Sequence, residues 1–203
     1  MPQITALFFD VGGVVLKNGW DRASRNELAK KFQIDGVDFE DRHELLSGAL
    51  ETGQLSLEHY LDRTLFYRER PFTKDQVRAF IFSCSERVPG TEALLERLAS
   101  AGKYFLATLN NESRELNLHR IKQFNLRKYF SAFFSSCYLG VQKPEEAIYR
   151  LAMDITQRAP EECLFIDDRP LNVETACRLG MRGIRFHDAA QVEKELLRLG
   201  IEM

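Results

Sequence analysis

Near its beginning the chain reads Ile4-Thr5-Ala6-Leu7-Phe8-Phe9-Asp10-Val11-Gly12-Gly13. The apolar run predicts a buried strand over Ile4–Phe9, and Asp10 closes that strand. Gly12 and Gly13 follow directly, so the backbone can turn tightly there and come close to a ligand. An isolated Asp before glycines is also common in turns and helix caps, so this segment alone predicts a strand end and leaves its function open.

Short apolar runs of the same kind recur along the chain and alternate with helical patterns. This alternation is typical of a parallel sheet covered by helices on both faces. We therefore expect an α/β fold whose core is a doubly wound, Rossmann-like parallel sheet. The further predicted strands are Tyr104–Leu109, Ala132–Cys137, Cys163–Ile166 and Gly183–Phe186.

Helix-end signals lie between the later strands. Thr91 is predicted to cap a helix that Gly102 ends. Pro144 fits the first turn of a second helix, and Gly180 is expected to end a third one that starts near Pro170.

The region from Asn18 to Val88 departs from this alternation, because it has amphipathic helical patterns and no convincing strand. We expect a core domain of residues 1–17 and 89–203, with residues 18–88 inserted as a helical cap domain. An insertion directly after the first strand would lie where open α/β sheets bind ligands. The patterns are two apolar stripes, Leu45-Leu46-Ala49-Leu50 and Leu57-Tyr60-Leu61-Leu65, and a capping box of Thr73 and Gln76.

Composition excludes several classes of protein. The 203 residues are 44% hydrophobic and 29% charged, which is the balance of an ordinary globular protein. A net charge of −2 does not favour nucleic acid as a partner. The longest apolar run is interrupted by Asp10 and two glycines, so neither a signal peptide nor a membrane partner is expected. Oligomeric state is not predicted.

Cysteine and histidine usage gives no sign of a metal or disulfide framework. The cysteines show no CxxC spacing and lie mostly in apolar runs, so we expect reduced core residues of a cytoplasmic protein. The histidines show no ligand spacing and are expected to be surface or hydrogen-bonded residues. These residues are Cys84, Cys137, Cys163 and Cys177, with His43, His59, His119 and His187.

Further acids and a lysine fall at other predicted strand ends. Asp167 and Asp168 follow an apolar strand, and Lys143 follows another. Taken singly, the acids could cap a helix and the lysine could be solvated. Together with Asp10 they lie at the carboxyl ends of strands in one sheet, where clustered carboxylates need a cation. Oxygen ligands of this kind suit Mg²⁺.

Three motifs resemble those of a known family: FFDVGGV (residues 8–14), GVQKP (140–144) and FIDDRPLN (165–172). Their order and spacing resemble motifs one, three and four of the haloacid-dehalogenase-like superfamily, and the helical insertion resembles its cap. The resemblance is closest to the branch that contains sugar-phosphate phosphatases and the amino-terminal phosphatase domain of epoxide hydrolases.

The resemblance implies a role for each motif residue. Asp10 would attack phosphorus and form an aspartyl-phosphate that water hydrolyses. Lys143 would neutralise charge on the carboxylates and the phosphoryl group, and Asn172 would brace the acidic loop. The implied Mg²⁺ ligands are Asp10, Asp167, Asp168 and the carbonyl oxygen of Gly12.

The chain departs from the family pattern at two positions. Gly12 stands where most of its phosphatases have a second Asp, and losing that acid–base group costs about a hundredfold to ten-thousandfold in rate. We therefore expect slow turnover and easy leaving groups. Leu109 stands where motif two has a hydroxyl, so Thr108 and Asn110 are the predicted phosphate contacts.

The expected function is a Mg²⁺-dependent phosphomonoesterase acting on small phosphorylated metabolites. A non-catalytic phosphate-binding or regulatory protein is the alternative, and Gly12 and Leu109 favour it. A haloacid dehalogenase is a third possibility that the acid pair Asp167 and Asp168 disfavours. Trp20 is a candidate for the substrate entrance, although an aromatic residue there more often packs in a core.

Overall fold

The computed structural model describes residues 3–203 and contains a parallel sheet covered by helices on both faces. The sheet has the strand order β3-β2-β1-β4-β5, and all of its pairings are parallel. The predicted α/β fold with a doubly wound sheet is confirmed. The strands are β1 Ala6–Phe9, β2 Phe105–Asn110, β3 Ala132–Ser135, β4 Cys163–Asp167 and β5 Arg182–Arg185.

Helices connect these strands. The helices are α1 Arg22–Phe32, α2 Gly36–Glu51, α3 Leu57–Thr64, α4 Lys74–Ser83, α5 Thr91–Ala101, α6 Arg114–Gln123, α7 Ser136–Leu139, α8 Glu146–Thr156, α9 Pro170–Arg178 and α10 Ala189–Arg198. Short 3₁₀ turns follow α6 and α8, at Leu126–Lys128 and Pro160–Glu162.

Successive residues of a strand point their side chains to opposite faces of the sheet. Leu7 and Phe9 pack on the face covered by α5 and α10. Ala6 and Phe8 pack on the opposite face, against α8 and α9. Because both faces are covered, the central strands are apolar throughout, which explains why their sequences show no polar alternation.

Several predicted element boundaries differ from the structure. Gly90, not Thr91, is the residue before α5, because the Thr91 hydroxyl donates to the Val14 carbonyl at 3.0 Å. Pro144 precedes α8 and lies in a turn in which the Glu145 N–H donates to the carbonyl oxygen of Gln142.

Other ends of helices and strands lie closer to their predicted positions. Gly102 ends α5 as predicted, while α9 ends at Arg178, two residues before Gly180. Strand β3 stops at Ser135 because the next residues, expected to continue it, form α7.

Helices α1–α4 surround a hydrophobic cluster of their own, which also receives Leu116 from α6. The predicted stripe on α3 is buried, and the capping box of Thr73 and Gln76 is present. The other predicted stripe is wrong at Leu45, which is 84% exposed, whereas Leu50 is buried and Leu46 packs partly buried against the cluster. Helix α2 also buries Phe39, which lies about three turns from Leu50 on one face.

The chain crosses between the sheet and these helices at two adjacent places. The Lys17 N–H donates to the Glu86 carbonyl at 2.7 Å, and the Val88 N–H donates to the Val15 carbonyl at 3.2 Å. Leu16 and Arg87 form an antiparallel bridge between them. The two crossings therefore run side by side as a short ribbon.

The four cysteines are free thiols. Cys137 and Cys163 are buried and Cys84 is half-buried, but Cys177 is exposed, so the expectation of a core position is wrong there. Val173 and Ala176 form the buried face of α9, and Cys177 lies on the neighbouring face. Within the described residues, no helix has both the length and the apolarity that crossing a bilayer requires.

Candidate active site

Three carboxylates meet where β1 and β4 end. Phe9 pairs with Ile166 in the sheet, and the Asp10 N–H extends this pairing to the Ile166 carbonyl at 2.8 Å. Asp167 and Asp168 follow on β4 and the loop after it. One carboxylate oxygen from each of the three acids lies within 4.8 Å of the others. The sheet register therefore brings together the acids that the sequence placed far apart.

Lys143 lies between two of these acids. Its Nζ is 3.0 Å from Oδ1 of Asp10 and 2.6 Å from Oδ2 of Asp167. The Asn111 amide fixes the Lys143 backbone, since it accepts from the Lys143 N–H and donates to the Lys143 carbonyl, both at 2.8 Å. The loop before α8 thus holds a buried ammonium group against the carboxylate cluster.

Burial dominates the electrostatics of this cluster. Burial raises the pKa of Asp10 to about 7; Lys143 opposes this rise, while Asp167 and Asp168 add to it. Burial by itself would lower the pKa of Lys143, but the neighbouring Asp10 and Asp167 outweigh it and raise that pKa above its usual value. The lysine therefore stays charged among the acids.

Asp167 has a full set of partners. Besides Lys143, its carboxylate accepts from both the Asn172 amide, at 3.0 and 3.1 Å, and the Arg169 N–H, at 2.8 Å. Asn172 therefore lies where the sequence predicted a brace for the acidic loop. An acid whose oxygens are already engaged in this way has little free capacity for another ligand.

Asp168 is different, because its Oδ1 is buried and has no hydrogen-bond partner in the part of the chain that the structure describes. Burial, with Asp167 beside it, raises the pKa of Asp168. A buried carboxylate oxygen without a partner is costly unless a cation completes it. With the Asp10 carboxylate beside it, this oxygen offers the hard donor set that fits Mg²⁺.

The two glycines after Asp10 meet different neighbours. At Gly13, where φ is +83°, a Cβ would lie 2.4 Å from Oδ2 of Asp168. At Gly12 a Cβ would lie 2.7 Å from Oδ1 of Asn18, which is the tip of a side chain that can swing aside. Gly13 is thus required by the approach of Asp168, whereas the absence of a side chain at Gly12 is not imposed by the backbone.

The predicted phosphate contacts lie outside this arrangement. The Thr108 hydroxyl is buried and has no hydrogen-bond partner among residues 3–203, and the Asn110 amide contacts Ser135 at 2.9 Å and Asn117 at 3.4 Å. Neither residue belongs to the lining of the cavity in front of Asp10. Asn111, one residue further along, does line it. The doubled asparagine was the only sequence signal for Asn111.

A cavity of about 200 Å³ opens in front of the acids. The predicted site residues in its lining are Asp10, Gly12, Lys143 and Asn172. Trp20, the candidate for the substrate entrance, lines it as well. Five further charged residues of the lining were not predicted as site residues. Arg169 lies within the motif FIDDRPLN but was given no role, and the other four belong to no recognisable motif. These four are Asp21, Glu51, Glu112 and Arg120.

Arg120 and Glu112 form a buried pair beside the cavity. Their side chains lie 2.8 Å apart, and Arg120 is only 2% exposed. The same guanidinium donates to the Ser85 hydroxyl and to the Lys17 carbonyl, each at 3.1 Å. Arg120 therefore ties α6 to both crossings between the sheet and the helices α1–α4.

Comparison with known proteins identifies the family. The family model of the haloacid dehalogenase-like hydrolases matches residues 4–180. The chain therefore belongs to this family of hydrolases, which confirms the resemblance read from its motifs.

Curated relatives include phosphatases of small molecules. Flavin mononucleotide hydrolase 1 (chloroplastic) of Arabidopsis thaliana is 31% identical over 81% of this chain and 66% of its own length. Bifunctional epoxide hydrolase 2 of Mus musculus is 35% identical, over 35% of this chain and 13% of its own. Glyceraldehyde 3-phosphate phosphatase of Pyrococcus abyssi is 24% identical over 91% of this chain and 82% of its own. The chain thus spans under two thirds of the first two relatives.

Solved structures share the fold. A family hydrolase from Porphyromonas gingivalis superimposes with a TM-score of 0.80 at 26% identity, and 100% of both chains is covered. A family enzyme from Bacteroides thetaiotaomicron, solved with magnesium and inorganic phosphate, gives a TM-score of 0.76 at 24% identity over 91% of this chain and 95% of its own.

Proposed function

We propose that this protein is a Mg²⁺-dependent phosphomonoesterase that acts on small phosphorylated molecules, with Asp10 as the nucleophile. The observation that carries the proposal is the Lys143 bridge between Asp10 and Asp167, beside an Asp168 oxygen that has no partner among the described residues. The phosphatase relatives and the magnesium and phosphate bound to the Bacteroides enzyme support it.

In the proposed reaction an Asp10 oxygen attacks phosphorus, the bond to the leaving oxygen breaks, and water later hydrolyses the aspartyl-phosphate. Lys143 would balance negative charge as phosphate enters, and Asn111 holds the Lys143 backbone in place. Asp10, Asp168 and the Gly12 carbonyl would hold Mg²⁺, with Asp167 behind them. When bound, the metal ion would supply positive charge to the phosphoryl oxygens.

The helical segment 18–88 would act as a cap over the sheet domain of residues 1–17 and 89–203. Asn18, Trp20 and Glu51 from this segment line the same cavity as Asp10 and Lys143. A substrate in the cavity would therefore touch both parts of the chain, and its identity would depend on residues of the helical segment.

The assay that tests this proposal compares wild type, Asp10→Asn, Asp154→Asn and an EDTA-treated sample. Asp154 is exposed on α8 and serves as the matched control for loss of one carboxylate. The substrates are p-nitrophenyl phosphate, acetyl phosphate, flavin mononucleotide and a panel of sugar phosphates. We expect turnover of at least one substrate by wild type and Asp154→Asn, and none by Asp10→Asn or without the metal ion.

A non-catalytic phosphate-binding protein is the second candidate. Gly12 supplies no carboxyl group, and Thr108 and Asn110 stay outside the cavity lining, both of which weaken the catalytic case. If wild type is as inert as Asp10→Asn on every substrate while it still binds phosphate or Mg²⁺, this second function replaces the first.

A further inference from the structure

The cavity has no carboxyl group at position 12 to protonate a leaving group, yet it contains another acid. Glu51 is the last residue of α2 and lines the same cavity as Asp10, Lys143 and Arg169. We propose that Glu51 is the general acid and base of the hydrolysis, acting in place of the acid that Gly12 does not supply. This inference rests on the phosphatase function proposed above.

Contacts with the sheet domain fix the position of Glu51. The Ser136 hydroxyl, at the start of α7, donates to the Glu51 carbonyl at 2.6 Å. Two residues later, Gly53 packs so closely that a Cβ there would lie 2.2 Å from the Cys137 carbonyl oxygen. Its φ of +73° also suits glycine. The end of α2 is therefore held against the strand end that leads to Lys143.

The Glu51 carboxylate is not committed to another residue. No hydrogen bond or ion pair joins it to a side chain in residues 3–203. Two other acids line the cavity away from the Asp10 cluster, and both have partners. Glu112 is paired with Arg120 at 2.8 Å and accepts from the Ser113 N–H at 3.0 Å, and Asp21 accepts from the Ser24 N–H at 2.9 Å. Of these three acids, Glu51 is the one that can exchange a proton with a substrate.

The surroundings of Glu51 suit proton transfer near neutral pH. Burial raises the pKa of Glu51 to about 7, and Glu112 adds to the rise. Arg169, Lys143 and Arg25 act in the opposite direction, and these are the charged groups that face it from α1 and from the loops after β3 and β4. A general acid works best when its pKa lies near the working pH.

The proton balance closes over one cycle. As the Asp10 oxygen bonds to phosphorus, the bond to the leaving oxygen breaks and the Glu51 carboxyl gives that oxygen its proton. Water then attacks phosphorus on the side opposite Asp10, where the leaving group had been, and gives a proton to the Glu51 carboxylate. The Asp10–phosphorus bond breaks, so one water has been consumed and both side chains return to their initial states.

The test uses phenyl phosphate, p-chlorophenyl phosphate and p-nitrophenyl phosphate, which have similar shapes and progressively better leaving groups. The value kcat/KM covers the steps up to departure of the leaving group. For Glu51→Gln we expect kcat/KM to fall about a hundredfold or more with phenyl phosphate. The fall with p-nitrophenyl phosphate should be much smaller, since its leaving oxygen needs little protonation.

Two further variants and a pH profile sharpen the result. Glu51→Asp keeps the acid and should retain part of the activity on phenyl phosphate. Glu44→Gln, an exposed position on the same helix, should match wild type. With phenyl phosphate, wild-type kcat/KM should decline above about pH 7 as Glu51 loses its proton, and this decline should be absent in Glu51→Gln.

Equal losses on all three substrates would show a binding or folding role for Glu51 and overturn the inference, as would no loss at all. The temperature of unfolding of Glu51→Gln separates a folding defect from a catalytic one. If Asp10→Asn abolishes turnover while Glu51→Gln behaves like wild type, only this inference fails. If wild type is inert on every substrate, the proposed function fails with it.

Discussion

The Lys143 ammonium donates to Oδ2 of Asp167 at 2.6 Å in a place where Lys143 is 4% exposed and Asp167 is fully buried. The same ammonium lies 3.0 Å from Asp10. Removing it would leave carboxylates buried without their counter-charge. The free energy needed to bury those charges is then no longer offset.

We therefore expect Lys143→Met to lower the free energy of unfolding by about 3 to 5 kcal/mol and to abolish turnover. Lys17→Met is the control, because Lys17 and Glu86 form an ion pair in which both side chains are more than half exposed. Its cost should be about 1 kcal/mol or less. Chemical denaturation monitored by circular dichroism measures both, and similar costs for the two variants would contradict the prediction.

Mg²⁺ should stabilise the wild-type protein by binding to the folded state alone. At a concentration about a hundredfold above Kd we expect a rise in Tm of about 5 to 10 °C. Asp168→Asn should lose this rise, because Oδ1 of Asp168 is the oxygen of this acidic cluster that is buried without a hydrogen-bond partner among the described residues. Asp154→Asn should keep it. Differential scanning calorimetry with and without Mg²⁺ provides the measurement, and an undiminished shift in Asp168→Asn would refute this metal site.

Alanine should cost more stability at Gly13 than at Gly12. Gly13→Ala places a Cβ against the Asp168 carboxylate and forces alanine to a φ of +83°. The backbone alone costs about 1 to 2 kcal/mol, and displacement of Asp168 should also weaken the Mg²⁺ response. Gly12→Ala meets only the movable Asn18 amide and should cost less than about 1 kcal/mol. Measuring the free energy of unfolding of both variants tests this prediction. Equal losses of stability would show that Asp168 does not approach Gly13 as described.

His43 should make stability depend on pH. Trp20 Nε1 donates to the Tyr60 oxygen at 3.3 Å, so the Tyr60 hydroxyl is free to donate to Nδ1 of His43 at 2.9 Å. Protonated His43 could not accept that bond. Burial, with Arg25 nearby, lowers the pKa of His43 from 6.5 to about 4. The unfolded chain therefore binds a proton first, and the stability that His43 contributes is present above pH 6.5 and is lost as pH falls towards 4.

The measurement compares Tm at pH 7 and pH 5 for wild type, His43→Gln and His59→Gln. Acidification also protonates Asp10 and Glu51, whose raised pKa values make the folded state more stable at lower pH. The role of His43 is therefore judged from the difference in pH response between the variants and wild type. We expect acidification to be less harmful to His43→Gln than to wild type. The exposed His59→Gln should follow wild type, and identical pH responses in all three proteins would rule out the proposed role of His43.

The sequence predicted the sheet and its acidic edge because those features depend on local patterns. Buried parallel strands are continuous apolar runs, and the residue after such a run lies at the edge of the sheet. The position of Leu45 was not predictable in this way, since two apolar stripes on one helix look alike until the packing partner is known. Asn110, the last residue of β2, contacts Ser135, whereas Asn111 follows the strand and contacts the Lys143 backbone. The doubled asparagine does not encode these tertiary contacts.

The charged wall of the cavity was invisible to sequence reasoning for a different reason. Glu51 is the last residue of a helix, and Arg120 lies in the middle of one, where charged residues usually face solvent. What brings them to the site is the docking of α2 and α6 around it, through contacts such as that of Ser136 with the Glu51 carbonyl. Tertiary contacts between distant segments of this kind leave no periodic signal.

The bridge between Leu16 and Arg87 affects how this chain can diverge. The intervening helices leave and rejoin the sheet at one point, so lengthening or replacing them adds little loop-closure entropy to the core. Strand register and the acidic edge are encoded outside that interval, while one part of the cavity wall, including Trp20 and Glu51, is encoded within it. Natural variation can therefore exchange that part of the wall while the sheet continues to fold in the same way.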